Sequence, residues 1–372
     1  MRSEGSAEMK FVITGINLYE GGPLSIYYDC LDTVIELGLA ERYEIVAFVH
    51  RLDLFSKYKD NGIEMIELPK SRRSYINRFY YEYFFFYQYS KRHDVDIWLS
   101  LHDMTPRVRA RKIYTYCHNV SPFMSKNIAN IKYSFTNVMF SYLYKYIYRI
   151  NIKSATAIIV QTEWMRDAFR SMYPINEVIV ARPNISTRSD TLYTNNLTSI
   201  KRKTTFIYPA YPRYFKNFEV LCEAAKGLDE AKCEVVITLD GTENAYARDI
   251  YNKYSEVKAI NWIGIIPREE VFELYEKADC LVFSSRIETW GLPISEFKKT
   301  NKDIILVNLP YAKETLGEYE KVMFFDENDS STLRKHMNEV IDSKQEYTPC
   351  TAIKNKEPYA ESWRKLLEII VS

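Results

Sequence analysis

An α/β protein made of two doubly wound parallel sheets is what this sequence predicts, on three observations. Short apolar, β-branched runs alternate with helix-length segments along most of the chain. The runs are apolar nearly throughout instead of at every second position, as strands covered on both faces are. They also number ten, more than one such sheet usually holds. The first five are KFVIT at 10–14, YEIVAFV at 43–49, IWLS at 97–100, IYTYC at 113–117 and AIIVQ at 157–161. The second five are TFIYP at 205–209, EVVITL at 234–239, AINWI at 259–263, CLVFS at 280–284 and IILVN at 304–308. Each is rich in the β-branched and aromatic residues that suit a pleated surface.

The break between the two sets falls at RPNISTRSDTLYTNNLTSIKRK, residues 182–203, where Pro, Asn, Ser and Thr accumulate as they do in linkers. Domains are therefore expected at 9–190 and 204–355, with 191–203 as the linker and a terminal helix over 356–372. Ligands of doubly wound sheets bind outside the carboxyl ends of the strands, so the expected site is an interdomain cleft lined by strand-end loops.

Composition narrows the function. The 372 residues carry 50 Lys and Arg against 49 Asp and Glu, a net charge of +1, which excludes a surface built throughout for nucleic acid. The charge is unevenly spread. Residues 70–153 hold fifteen Lys or Arg and four acids (Glu82, Asp94, Asp96, Asp103), so the remainder of the chain is acidic. No run of about 18 uncharged apolar residues occurs, which excludes a conventional membrane-spanning helix. Residues 1–8 are polar and read as a leader before a natural start at Met9, not as a signal peptide, which predicts a cytoplasmic protein. Six scattered cysteines (Cys30, Cys117, Cys222, Cys233, Cys280, Cys350) without a C-x-x-C pair read as buried, reduced thiols.

The most informative segment is SSRIETWGLPISEF, 284–297. It follows the apolar run CLVF, turns through Trp290 and Gly291, and starts a helix near Pro293, a residue suited to a first helical turn. Glu288 precedes the turn and Glu296 is expected in that first helical turn, with seven residues between them. The helix start offers backbone N–H groups to a phosphate, and a carboxylate beside it can accept hydrogen bonds from vicinal hydroxyls such as those of a ribose.

This E-x(7)-E segment, preceded by NWIGIIPREEVFELYEKADCLVF and followed by YAKETLGE, resembles the retaining glycosyltransferases of family 4, which have the two-Rossmann GT-B fold. The resemblance covers most of the chain and is strongest from Phe206 to Asp329. It implies that Glu288 lies by the donor sugar ring and that Glu296 holds the ribose hydroxyls. The amides of Trp290, Gly291 and Leu292 would meet the diphosphate or sugar, and the backbone of Ile266 would face the base. Without the resemblance, Glu288 reads as a solvated loop carboxylate and Glu296 as an acid complementing a helix dipole.

Opposite this segment, TFIYPAYPRYFKN closes a strand and opens a helix. Expelling a nucleoside diphosphate builds negative charge on the leaving oxygen, and a cation aimed there lowers the barrier. Lys216 matches the family's cation. The family's Arg five residues earlier is Tyr211 here, and the nearest arginine is Arg213. Either Arg213 reaches the phosphate from a reshaped loop, or it is a surface or acceptor residue and Lys216 acts alone.

Gly21, Gly22 and Pro23 separate the first strand from the helical pattern SIYYDCLDTVIELG, where a ligand close to the backbone requires residues lacking a Cβ. This is not the G-x-G-x-x-G of dinucleotide oxidoreductases, which disfavours a dehydrogenase. The resemblance puts this loop by the diphosphate and acceptor, and it puts His118, after IYTYC, on the donor sugar; a lone His is otherwise more often structural. Asp240-Gly241 reads as a turn, Asp279 as a polar residue before a strand, Glu314 as structural and His336 as a helix-face residue. No His/Asp cluster has metal spacing, so neither a metal nor another cofactor is expected.

One stretch stands apart. Nine of the eleven residues Phe79–Tyr89 are aromatic, broken by Glu82 and Gln88, with Arg72, Arg73, Arg78, Lys91 and Arg92 around them. As a helix it is apolar nearly all round and too short to cross a bilayer, at about 16 Å against about 30 Å. It reads either as a core helix with cationic ends or as an in-plane contact with an anionic membrane, and the further basic residues over 107–153 favour the membrane.

The expected protein is thus a retaining, metal-independent glycosyltransferase, moving a hexose or deoxyhexose from a nucleoside-diphosphate sugar to a glycan hydroxyl. The acceptor is expected to be a polyprenyl-linked saccharide of cell-surface polysaccharide biosynthesis, O-antigen included. The enzyme would work as a peripheral protein on the inner face of the cytoplasmic membrane, bound through 71–93 and 107–153, without a nucleic-acid partner. The C-terminal YAESWRKLLEIIVS resembles the family's helix that crosses back to the first domain. A GT-B sugar-nucleotide epimerase, a soluble glycogen- or sucrose-type transferase and a non-catalytic membrane scaffold on this fold are the rival readings.

Overall fold

The computed structural model describes residues 9–124, 133, 143, 145–183 and 203–372. The leader 1–8, the expected linker up to residue 202 and most of 125–144 in the second basic segment lie outside the described residues. The chain divides into two compact units, one of Met1–Met124, Met139–Asn184 and Asn355–Ser372, the other of Ser125–Val138 and Ile185–Lys354.

The first unit is built on eight strands: β1 (Met9–Thr14), β2 (Tyr43–Val49), β3 (Ile63–Glu67), β4 (Val95–Ser100), β5 (Ala110–Tyr116), β6 (Ala157–Val160), β7 (Val178–Ala181) and β14 (Tyr359–Ala360). Their order is β14-β7-β6-β5-β4-β1-β2-β3, and every pairing is parallel. The second unit has β8 (Thr204–Tyr208), β9 (Cys233–Ile237), β10 (Ile260–Trp262), β11 (Cys280–Phe283), β12 (Asp303–Val307) and β13 (Val322–Phe325). Their order is β10-β9-β8-β11-β12-β13, again all parallel.

Four strands were not expected from the sequence: β3, β7, β13 and β14. β3 and β14 are sheet edges without a continuous apolar run, whereas β7 (VIVA) and β13 (VMFF) are apolar runs of only four residues. In β3 only Ile63 is fully buried, and β14 has two residues.

Each face of the first sheet has its own core. One face packs Phe11, Ile13, Ile45 and Leu99 against helix α1 (Gly21–Glu36) and the C-terminal helix (Trp363–Val371), whose Trp363 stacks on Tyr116 at 5.4 Å. The C-terminal segment is also tied in by Arg166, a fully buried guanidinium that pairs with Glu163 and donates to the carbonyls of Lys356 and Pro358. The other face packs Val12, Val46, Phe48 and Trp98 against the aromatic stretch.

That stretch is neither a simple core helix nor a fully exposed one. It runs as α2 (Tyr75–Tyr80), one π-helical turn (Tyr81–Phe85) and α3 (Phe86–His93). Phe86 packs within about 5 Å of Phe48 and Trp98, and Glu82 and Tyr83 are buried. Tyr75, Ile76, Phe79, Tyr80 and Phe84 face solvent, Ile76 at 80% exposure. Glu82 thus lies inside the unit, while five large apolar side chains lie outside. All six cysteines are buried and unpaired.

Candidate functional site

Strand order explains how residues 72 positions apart in sequence meet. β8 and β11 are adjacent and parallel, so the loops leaving their carboxyl ends run side by side. After β8 the chain passes through a 3₁₀ turn, Tyr214–Lys216, and then through Asn217, which holds a left-handed φ of 56°. After β11 come Ser284 and Ser285, both fully buried. Their hydroxyls fasten the two loops together: Ser284 donates to the carbonyls of Lys216 at 3.2 Å and Asn217 at 3.1 Å, and Ser285 donates to that of Phe215 at 3.3 Å. Tyr208 adds a donor to the Lys216 carbonyl at 2.7 Å, and Arg286 N–H bonds the Phe215 carbonyl at 2.8 Å.

With its backbone held so firmly, Lys216 extends Nζ to Glu288 Oε1 in a direct ion pair, the two side chains 17% and 14% exposed. Burial, with the Glu288 charge added, pushes the phenols of Tyr208 and Tyr311 well above their usual range, so both stay neutral donors beside the pair. The two candidate catalytic side chains of this unit are therefore together, each neutralising the other.

Glu296 departs from expectation in one respect. The helix covers Leu292–Phe297 with proline in its first two positions, and Glu296 lies beyond the first turn instead of in it. Its carboxylate turns inward, 6% exposed, where Arg268 Nη2 holds one oxygen and the Tyr275 hydroxyl donates to the other at 3.1 Å. Complementing the helix dipole therefore does not explain this residue. Neither partner was anticipated, although both stand in the PREEVFELYEK segment, at the start of the helix Arg268–Lys277 and seven residues on.

The turn between the two glutamates is locked. Gly291 takes φ +93°, a left-handed conformation that suits glycine, and Trp290 Nε1 donates to Ser295 Oγ at 2.8 Å. Leu292 opens the helix. Ile266 follows Gly264, whose own left-handed turn packs against the Asp240 carboxylate. Asp240 accepts from Thr242 N–H and hydroxyl, which draws its pKa below the usual carboxylate range, and it serves as a turn.

Arg213 is not drawn into the pair. Its carbonyl accepts Lys216 N–H at 2.8 Å, while its exposed guanidinium lies 5.7 Å over the Tyr211 ring. Arg286, overlooked in the sequence, brings a second cation to the same loop, within 4.0 Å of Glu327.

In the first unit, Gly21 and Gly22 form the first turn of α1 and are exposed, with open space where a Cβ would stand. His118 follows β5 and is largely buried. Its N–H donates to Asp103 Oδ1 at 2.9 Å and its Nε2 stands 4.0 Å from Asp103 Oδ2. Desolvation lowers the His118 pKa, reinforced by His102 and Arg78 and opposed by Asp103, so the ring is neutral near pH 7. Among the described residues no group of three His, Cys, Asp or Glu is placed to hold a metal ion, and no helix is long and apolar enough to cross a membrane.

Residues 192–356 match the family model described as glycosyl transferases group 1. No curated protein matches the chain by sequence. Among solved structures it is similar to WaaG, a glycosyltransferase involved in lipopolysaccharide biosynthesis, at 13% identity and TM-score 0.63, covering 89% of this chain and 90% of that one. Sucrose-phosphate synthase from Thermosynechococcus elongatus is similar at 12% identity and TM-score 0.62, with 90% of both chains covered. Anabaena HepE in complex with UDP-glucose is similar at 13% identity and TM-score 0.55, again over 90% of both. The two parallel-sheet α/β units are those of the GT-B fold.

Proposed function

We propose that this protein is a retaining glycosyltransferase that moves a sugar from a nucleoside diphosphate to a glycan hydroxyl, the acceptor being a saccharide carried on a polyprenyl lipid. The observation that carries the reading is the Lys216–Glu288 pair at the β8 and β11 loop junction, with Glu296 eight residues on, inside the segment that matches the glycosyl transferase family model. In this reading the donor diphosphate takes Lys216 away from Glu288. Lys216, with Arg286 nearby, then offsets the charge that builds as the C1–O bond to phosphate breaks. Glu288, released, faces the sugar ring. Glu296 accepts the ribose hydroxyls, its carboxylate already aimed by Arg268 and Tyr275, and His118 contacts the sugar. The acceptor oxygen bonds to C1 on the face the diphosphate leaves, and its proton passes to the departing phosphate, so neither a separate base nor a metal is required.

The exposed residues Ile76, Phe79, Tyr80 and Phe84, with Arg72 and Arg73 beside them, support docking on an anionic membrane, where a lipid-linked acceptor resides. A panel of sugar nucleotides offered with a polyprenyl-linked saccharide, in the presence of EDTA, tests the reaction; transfer with the donor's anomeric configuration kept is expected. Failure to turn over or bind any donor overturns it. Flotation with anionic vesicles tests the docking. Changing Ile76, Tyr80 and Phe84 to Ser is expected to release the protein, and undiminished flotation removes the membrane assignment.

A further inference from the structure

We propose that Glu82, acting through His102, positions His118, and so is a positioning residue for sugar transfer although it lies inside the aromatic helix; this rests on the sugar-contacting role given to His118 above. β4 and β5 are paired and parallel, so the loop after β4, with His102 and Asp103, lies beside His118 at the end of β5. Asp103 holds the backbone N–H of His118 through a 2.9 Å bond to Oδ1, with Oδ2 standing 4.0 Å from the ring Nε2. Asp103 adopts φ +63°, a left-handed conformation uncommon for a residue with a Cβ.

The surroundings are specific. Asp103 N–H bonds the Tyr116 carbonyl at 3.0 Å, and the His102 carbonyl accepts from Arg78 Nη2 at 3.2 Å. The His102 ring has no exposure, and its Nδ1 lies 2.9 Å from Oε1 of Glu82, which also has none. Arg107 N–H in turn bonds the Glu82 carbonyl at 2.9 Å. Glu82 occupies the single π-helical turn of the stretch, where the extra residue in the ladder changes the facing of the side chains, and such turns recur at functional sites.

Burying two polar side chains is costly before their attraction is counted, and a hydrophobic pair of similar volume would hold the helix to the sheet at least as well. Fastening the helix therefore does not require this pair. What the pair supplies, and a hydrophobic one would not, is a close polar contact that ties His102, the neighbour of Asp103, to Glu82.

The test is a double-mutant cycle on the full-length protein. Glu82→Gln is expected to lower kcat for transfer about tenfold with the donor KM unchanged, because the nucleotide-binding groups belong to the other unit. In a His118→Ala background the same change is expected to have no further effect. Equal losses in both backgrounds, or wild-type kcat in Glu82→Gln, overturn the proposal. If Glu82→Gln does not fold, His102→Asn runs the same cycle from the other partner. A second readout needs no activity: the chain has five histidines, so ¹³C-histidine labelling gives five assignable ring signals. Glu82→Gln is expected to shift that of His118, whereas Gln88→Ala, at an exposed position of the same stretch, leaves it in place. An unmoved His118 signal overturns positioning even if the protein transfers sugar; a shifted signal in a protein that transfers nothing counts against the glycosyltransferase reading alone.

Discussion

In the six-stranded unit, Lys216 and Glu288 pair where solvent still reaches both side chains, at 17% and 14% exposure, whereas in the eight-stranded unit Glu82 and His102 pair with none. Both pairs sit beside the carboxyl ends of adjacent parallel strands, so the topology is alike and the difference is one of hydration. An ion pair that water touches has a small net stability, and an arriving anion can open it by offering the lysine a better partner. A fully buried pair has no such exchange open to it, because no solvent or ligand reaches its members to replace the partner each would lose. The first pair suits a group that must let go of its partner when substrate binds. The second suits a group that must never move.

Glu288→Gln tests this contrast with the largest expected effect, a loss of about a thousandfold in kcat, since under the proposed function it removes the charge facing the sugar and leaves the fold intact. Lys216→Ala is next, at about a hundredfold in kcat/KM, together with weaker product diphosphate binding by calorimetry. Wild-type diphosphate binding in that variant would remove the leaving-group assignment. If Glu296 holds the ribose as proposed, Glu296→Gln is expected to act mainly on the ground state, raising the donor KM about tenfold at nearly constant kcat, because such bonds would be equally strong before and during transfer. A fall in kcat with KM unchanged would mean that Glu296 works at the reacting centre.

How much of this could be read from the sequence depended on where the information was local. Ten of the strands lay in continuous apolar runs, and the turn Trp290-Gly291 before a proline-opened helix is written in consecutive residues. The partners of the glutamates are not. Arg268 reaches Glu296 across 28 positions, and the contact arises in the tertiary fold, where the parallel strands β10 and β11 release their loops at the same end of the sheet. Glu82 was harder still. In a stretch of nine aromatics it stood only as a break in the run, and the π-helical turn on which it lies inside the unit, near His102, carries no sequence signature. The edge strand β3 stayed hidden for a third reason: its five residues, IEMIE, carry two glutamates and form no continuous apolar run.

The smallest effects separate two glycine sites, one in each unit, that look alike in sequence. Gly291 holds φ +93°, and a Cβ there would come within 3.2 Å of Ile294 Cδ1, so Gly291→Ala is expected to cost about 1–2 kcal/mol and to lower the melting temperature by a few degrees. Gly22 has neither constraint: its φ lies outside the left-handed region, and nothing stands within 4 Å of the place an alanine methyl group would take. Gly22→Ala in the first turn of α1 is therefore expected to stabilise the protein by about 0.5 kcal/mol, since alanine has less backbone freedom to lose on folding. If that glycine is present so that a diphosphate or acceptor can approach the backbone, the more stable variant will transfer sugar more slowly. Stability and activity then move in opposite directions at Gly22 and in the same direction at Gly291. A Gly22→Ala variant that is both more stable and fully active would free the first glycine loop from the site and leave the donor to the six-stranded unit.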